Sequence, residues 1–224
     1  MDSFRIMEIK QGVYDGNDKR AELLREELRG KGVFLLNLMS SPGSGKTSIV
    51  LKTIRALQSK LRMGVMEADI DSDVDARSVA ETGTKVIQLH SGGMCHLDAE
   101  MTRQGLAGLG IDALDFVILE NIGNLICTAQ FDTGASRNAM ILSVPEGDDK
   151  PLKYPIMFEM ADVLLINKID TLPYFDFDLD RVRERVLALN PKIQIFPVSA
   201  KTGTGIDTWI EWLDRESAAW KQTQ

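Results

Sequence analysis

The sequence predicts an α/β protein of three layers, with a mostly parallel sheet of about seven strands and helices on both faces. Two observations carry that expectation. Short apolar runs of β type alternate with longer segments of helical periodicity, the pattern left by repeated βαβ units. The 224 residues, 44% of them hydrophobic, also supply enough apolar side chains for one sizeable core.

Residues 18–29 mix charges with Ala21, Leu23, Leu24 and Leu28 and then meet Gly30 and Gly32, which predicts a short helix with a glycine stop. Strands are expected at 33–39, 65–68, 85–89, 116–119, 139–144, 163–166 and 193–198, each a run of strand length. Helical periodicity fills most of the intervals, at 47–61, 74–81, 97–109, 152–160, 179–189 and 206–219. The expected organisation is an N-terminal helical extension, 1–32, followed by one domain, 33–224. In such sheets the loops beyond the carboxyl ends of the strands carry ligands. Every informative motif falls in one of those loops.

A net charge of −7 supplies no positive field for nucleic acid or for an anionic membrane surface. No stretch reaches the ~18–20 apolar residues that cross a bilayer, and the most apolar run, 161–166, is only strand-length. With no signal peptide and only two cysteines, a soluble cytoplasmic protein with free thiols is expected.

Ser40-Ser41-Pro42-Gly43-Ser44-Gly45-Lys46-Thr47 follows the first long strand and opens a helix, the context of a phosphate-binding P-loop. Gly43 and Gly45 let the backbone approach a polyphosphate. The amides of Ser44 to Ser48 point at it from the helix start, Lys46 reaches the terminal phosphates, and the Thr47 hydroxyl suits Mg²⁺. Ser40 replaces the usual first glycine, which requires that this position not need φ > 0. The fold class is thereby narrowed to the three-layer P-loop NTPase fold.

Asn167-Lys168-Ile169-Asp170 closes one late strand and Ser199-Ala200-Lys201 closes the next. The pair is similar to the guanine-recognition loops of the GTPase superfamily. The Asp170 carboxylate can accept hydrogen bonds from N1–H and the exocyclic amine of guanine, whereas adenine presents an acceptor there. GTP is therefore the expected nucleotide.

Glu120 ends the strand at 116–119 on the ligand edge, while Asp115 starts it at the opposite end. Asp69 ends the strand at 65–68 and is followed by Asp71, Asp73 and Asp75. Asp69 and Glu120 are candidates to hold Mg²⁺ beside Thr47. Asp71 and Asp73 read as caps of the helix that begins near Val74. No general base for the attacking water is legible, so slow hydrolysis is expected.

His90-Ser91-Gly92-Gly93-Met94-Cys95-His96-Leu97-Asp98-Ala99 leads from the third strand toward a helix, and Cys127 falls beyond Glu120, past what reads as another strand. Cys95, His96 and Cys127 offer thiolate and imidazole donors for Zn²⁺ or Ni²⁺. Adjacent residues point different ways, so Cys95 and His96 are no zinc-finger clip. Three ligands leave a tetrahedral site one short, to be filled by water, by Asp98 or Glu100, or by a second chain. Each cysteine equally reads as a small buried hydrophobe, and His90 reads as structural.

Taken together, the P-loop, Cys95-His96-Leu97-Asp98-Ala99, Glu120-Asn121-Ile122-Gly123-Asn124-Leu125-Ile126-Cys127 and the guanine loops resemble the HypB family, the GTPases of nickel incorporation into [NiFe] hydrogenase. The resemblance runs over nearly the whole chain from Val33. It implies that Cys95, His96 and Cys127 bind nickel or zinc at the interface of a homodimer promoted by GTP or metal. It also implies that Lys153, in Lys150-Pro151-Leu152-Lys153-Tyr154-Pro155, approaches the dimer partner. A nickel-delivery protein and the hydrogenase large subunit are the implied partners, with no nucleic acid and no membrane. No cysteine-rich or histidine-rich N-terminal stretch is present, so a second nickel store is not expected, and Glu100 stands where relatives can carry histidine. The competing readings are a GTPase serving urease or a cobalamin enzyme, and a metal-storage or scaffold protein.

Overall fold

The computed structural model describes residues 16–69 and 73–222, together with the backbone of 5–8. In chain order the elements are β1 (Arg5–Glu8), α1 (Asn17–Lys31), β2 (Phe34–Ser40), α2 (Lys46–Leu57), β3 (Met63–Asp69), α3 (Val74–Ala80), β4 (Lys85–His90), α4 (Ala99–Leu109) and β5 (Phe116–Glu120). There follow α5 (Cys127–Gln130), β6 (Arg137–Ser143), α6 (Lys150–Lys153), α7 (Pro155–Met160), β7 (Val163–Asn167), α8 (Leu179–Leu189), β8 (Gln194–Pro197) and α9 (Ile206–Gln222). The strands form one sheet in the order β1-β4-β3-β5-β2-β6-β7-β8, and every neighbouring pair is parallel.

Strands β2 to β7 are largely buried on both faces, as a parallel sheet wrapped by crossover helices must be. Alternation along the strands shows it. Ala139, Ile141, Val163 and Leu165 join a core with Ile54, Leu57, Trp209 and Leu213, whereas Met140, Leu142, Leu164 and Ile166 join another with Met157, Phe158, Val182 and Val186. Two buried indoles satisfy their N–H groups while filling space: Trp209 donates to the Thr53 hydroxyl at 3.0 Å and Trp220 to the Val33 carbonyl at 2.9 Å.

All seven expected strands are present, and β1 adds an eighth at the edge, in register with β4 from Arg5↔Ile87 to Glu8↔His90. Ala21, Leu24 and Leu28 of α1 are buried, and Leu24 and Leu28 belong to the main core. The helix stops at Gly32, whose φ of +65° needs glycine. The helix expected at 152–160 is two short helices. Pro155 has no N–H to continue the ladder and displaces Tyr154 from helical backbone, to φ −134° and ψ 55°. The helix expected to reach 61 ends at Leu57. Cys127 follows β5 through a loop and opens α5, so the strand expected between Glu120 and Cys127 is absent among the described residues.

Candidate functional site

The phosphate loop, the base-reading loops and the loops after β3, β4 and β5 all leave the carboxyl edge of the sheet. A cavity of about 550 Å³ opens there, lined among others by Gly43, Lys46, Thr47, Glu67, Asp69, Gln88 and Glu120. Ser40, wholly buried, anchors the loop. Ser44 Oγ donates to Ser40 Oγ at 2.6 Å, and Lys46 Nζ donates to the same oxygen at 3.1 Å. Among the described residues Lys168 is the only non-glycine with positive φ, so Ser40 meets the backbone condition for replacing glycine. Gly43 and Gly45 sit at φ +75° and +99°, Gly45 immediately before α2. Ser48 lies in the first turn of that helix and lines the cavity.

The two base-reading loops are joined to each other and to the phosphate loop. Asn167 Nδ2 donates to the Ser44 carbonyl at 2.9 Å, and its Oδ1 accepts from the Ala200 amide at 3.1 Å. Lys168, at φ +63°, lays its ammonium on the Gly43 carbonyl at 2.7 Å. Ser199 Oγ donates to Asp170 Oδ1 at 2.6 Å and fixes that carboxylate. Lys201 is exposed beside them.

Beneath the phosphate loop three polar side chains share one row. Parallel register sets Glu67 opposite Gln88 on one side and opposite Glu120 on the other. Glu67 and Glu120 are each 3% exposed and Gln88 is 1% exposed. Thr47 Oγ1 donates to Glu120 Oε1 at 3.1 Å, but Glu120 Oε2, Glu67 Oε1 and both amide atoms of Gln88 have no partner among the described residues. Burial pushes the Glu120 carboxyl up to about 7 against the pull of Lys46, and burial beside Glu120 pushes Glu67 well above the carboxylate range. The Glu67 carboxyl hydrogen-bonds that of Glu120, and the unmet Glu120 oxygen beside the Thr47 hydroxyl fits a hard divalent cation. Glu67 and Gln88 are absent from the sequence reading; the available signal was a carboxylate standing inside the apolar run 65–68.

Asp69 and Asp75 line the same cavity. Asp73 occupies the N-cap position of α3 but makes no side-chain cap bond; its carboxylate pairs with Arg77 at 2.6 Å, one turn on, so the expected cap is an ion pair instead. Asp71 lies outside the described residues.

On the same edge, the two thiols adjoin: the neighbouring Cys95 thiol and partial burial raise the Cys127 thiol above its ordinary range. Cys95 Sγ lies 4.0 Å from His96 Nδ1. The His96 ring, 6% exposed, stacks on Phe131 with centroids 3.6 Å apart and planes 9° apart, and burial lowers its basicity. Among the described residues no three His, Cys, Asp or Glu side chains of one chain converge as a metal cluster. Neither carboxylate weighed as a fourth ligand is turned there: Asp98 caps α4 through the Met101 amide at 2.8 Å, and Glu100 pairs with Arg103 at 2.8 Å. Asn124 holds the start of α5 by accepting from the amides of Ile126 and Cys127.

Lys153 lies away from the phosphate cavity of its own chain. It pairs with Asp149 at 2.5 Å and borders a small hollow formed with Leu125, Ile126, Tyr154, Pro155 and Ile156. No helix among the described residues is long and apolar enough to cross a membrane.

The family model of the CobW/HypB/UreG nucleotide-binding domain matches residues 34–197. The hydrogenase maturation factor HypB of Rhizobium leguminosarum bv. viciae is 41% identical over 97% of this chain and 73% of its own length. The hydrogenase/urease maturation factor HypB of Helicobacter hepaticus is 38% identical over 96% of this chain and 89% of its own length. The crystal structure of HypB from Helicobacter pylori in complex with nickel matches with a TM-score of 0.85 and 36% identity, covering 92% of this chain and 96% of that one. The chain belongs to the CobW/HypB/UreG family of nucleotide-binding domains and, within it, to the HypB hydrogenase maturation factors.

Proposed function

We propose that the chain is a GTP-hydrolysing metallochaperone that binds nickel, or zinc, and assists nickel insertion into [NiFe] hydrogenase in the cytoplasm. One observation carries this reading. The segment from Glu120 to Phe131 begins on the Thr47 hydroxyl of the phosphate loop and ends with Cys127 beside Cys95 and Phe131 stacked on His96. A ligand at one end of the segment therefore bears on the donors at the other.

At the nucleotide end, Thr47 and Glu120 would hold Mg²⁺, with Asp69 bound directly or through water. The cation would neutralise charge on the β- and γ-phosphates. Lys46 binds the terminal phosphates, and Asp170 selects guanine. Gly123 presses on Pro42, where a Cβ would meet ring and backbone atoms at 3.0–3.2 Å, so the segment touches the phosphate loop a second time.

At the metal end, each chain presents two adjoining thiols and a histidine. A twofold axis through that edge would bring four thiolates together and make metal occupancy depend on a homodimer. Lys153 and the exposed Ile126 and Ile156 lie on the surface such a partner would cover. A nickel-delivery protein and the hydrogenase large subunit are the proposed partners. Urease is a second client reading, supported by the name of the Helicobacter hepaticus relative.

Linkage gives the test. Native mass spectrometry with Ni²⁺ is run with a non-hydrolysable GTP analogue and with GDP, beside Ni²⁺ titrations of both states. Nickel affinity and dimer fraction are expected to differ between the two nucleotides. Identical metal affinity and mass in both states would remove the switch.

A further inference from the structure

We infer that Gln88 orients the water that attacks the terminal phosphate of GTP, with Glu67 completing that water's binding site. The inference rests on the GTPase reading above and supplies the water-holding residue that the sequence did not reveal.

The strands β4, β3 and β5 are neighbours, and their register puts Gln88, Glu67 and Glu120 side by side. In-register residues of parallel strands share a face, about 4.8 Å apart per strand. All three line the cavity that holds Lys46 and Thr47. Gln88 is 1% exposed, and neither its amide oxygen nor its amide nitrogen has a partner among the described residues; Glu67 Oε1 is equally unmet. Such groups are retained in native interiors where water, an ion or a substrate meets them.

The donor set separates these occupants. Glu120, hydrogen-bonded to Thr47, takes the cation end of the row. At the far end a neutral amide can turn one of its N–H donors and its acceptor oxygen to a single water, and Glu67 Oε1 adds an acceptor. Those three contacts match a water molecule, which needs two to four polar partners when buried. Nε2 of Gln88 donates to the water oxygen, while Gln88 Oε1 and Glu67 Oε1 accept its protons, leaving one lone pair free. In the step itself, that lone pair bonds to the γ-phosphorus as the bond to the β,γ-bridging oxygen breaks. The bonding electrons leave with GDP, and the water's proton passes to an oxygen of the released phosphate. A glutamine orienting the attacking water in this way needs no ionisation.

The test compares single-turnover hydrolysis of GTP with Mg²⁺ and equilibrium affinity for a non-hydrolysable analogue, on the full chain. Gln88→Leu is expected to hydrolyse at least about tenfold more slowly with analogue affinity within about threefold. Glu67→Gln, which keeps an acceptor oxygen, should retain most of the rate that Glu67→Leu loses. If Gln88→Leu does not fold, Gln88→Asn, which withdraws the amide by one methylene, carries the same expectation. A Gln88 variant that hydrolyses within twofold of the parent, or that loses affinity as steeply as rate, overturns the inference. A parent chain that binds GTP without turning it over refutes instead the GTPase reading beneath it.

Discussion

Gly45 and Asn167 interlock. A Cβ on Gly45 would stand 2.5 Å from Asn167 Nδ2, the atom that donates to the Ser44 carbonyl at 2.9 Å. The other end of the same amide accepts from the Ala200 backbone at 3.1 Å. One side chain therefore ties the phosphate loop after β2 to the base-reading loops after β7 and β8. The loop after β2 and the loops after β7 and β8 thereby share a single fixed frame.

Gly45→Ala should break that frame. The position combines φ +99°, which L side chains rarely adopt, with a contact that forces Asn167 off the Ser44 carbonyl. GTP affinity measured by calorimetry is expected to fall at least about tenfold, or about 1.4 kcal/mol. Affinity equal to the parent's would show that the two loops are not coupled through Asn167.

Strands β2 to β8 were legible because each is a local apolar run, and the loops after β2, β7 and β8 stood out because their residues are contiguous. What stayed hidden depends on neighbours in space. Edge strand β1 reads as the mixed stretch Arg5-Ile6-Met7-Glu8, with no apolar run to announce it. Glu67, Gln88 and Glu120 come from three separate strands, and only register makes them a row. Likewise Phe131 carries no motif, yet it fixes the ring of His96, a residue named from sequence as a metal ligand. Asp98 and Glu100 looked available beside the Cys95-His96 pair because a sequence does not show that a cap and an ion pair already claim them.

Asp170→Asn should exchange the preferred base. Ser199 holds the Asp170 carboxylate at 2.6 Å, so an amide at that position keeps its place while one acceptor becomes a donor. Each charged hydrogen bond is worth ~1.5–3 kcal/mol. GTP affinity should drop at least about tenfold and xanthosine triphosphate affinity rise correspondingly. Competition titrations against a fluorescent GDP analogue would measure both, and an undiminished preference for GTP would take Asp170 out of base recognition.

Cys127→Ser tests the metal end separately from the nucleotide end. The hydroxyl preserves size but removes one of the two adjoining thiols, and hydroxyl oxygen is a poor ligand for a borderline cation. Ni²⁺ affinity should fall at least about tenfold, with loss of thiolate-to-nickel charge-transfer absorption, while binding of GDP stays within about threefold. Retention of that absorption at full intensity would place the nickel on other donors.

Asp115, at the other end of β5, gives a prediction about acid stability. It accepts from Arg62 Nε at 2.8 Å, Nη2 at 3.0 Å and backbone N at 3.0 Å, and from Lys221 at 3.2 Å. It thus ties the turn before β3 to the last helix. The Arg62 guanidinium, then its backbone amide and Lys221, hold the Asp115 carboxyl well below the usual carboxylate range against a smaller desolvation cost. A folded-state pKa below the unfolded one, about 3.9, contributes stability that is fully present above that value. The contribution is lost as pH falls through it toward the folded pKa, because the unfolded chain then binds the proton more tightly. Asp115→Asn should lower the Tm by about 2–4 °C at pH 7. The gap between parent and variant should hold steady down to about pH 5 and close progressively below about pH 4. Thermal melts followed by circular dichroism across that range measure it, and a gap independent of pH would mean that Asp115 acts through packing and neutral hydrogen bonds rather than through its charge.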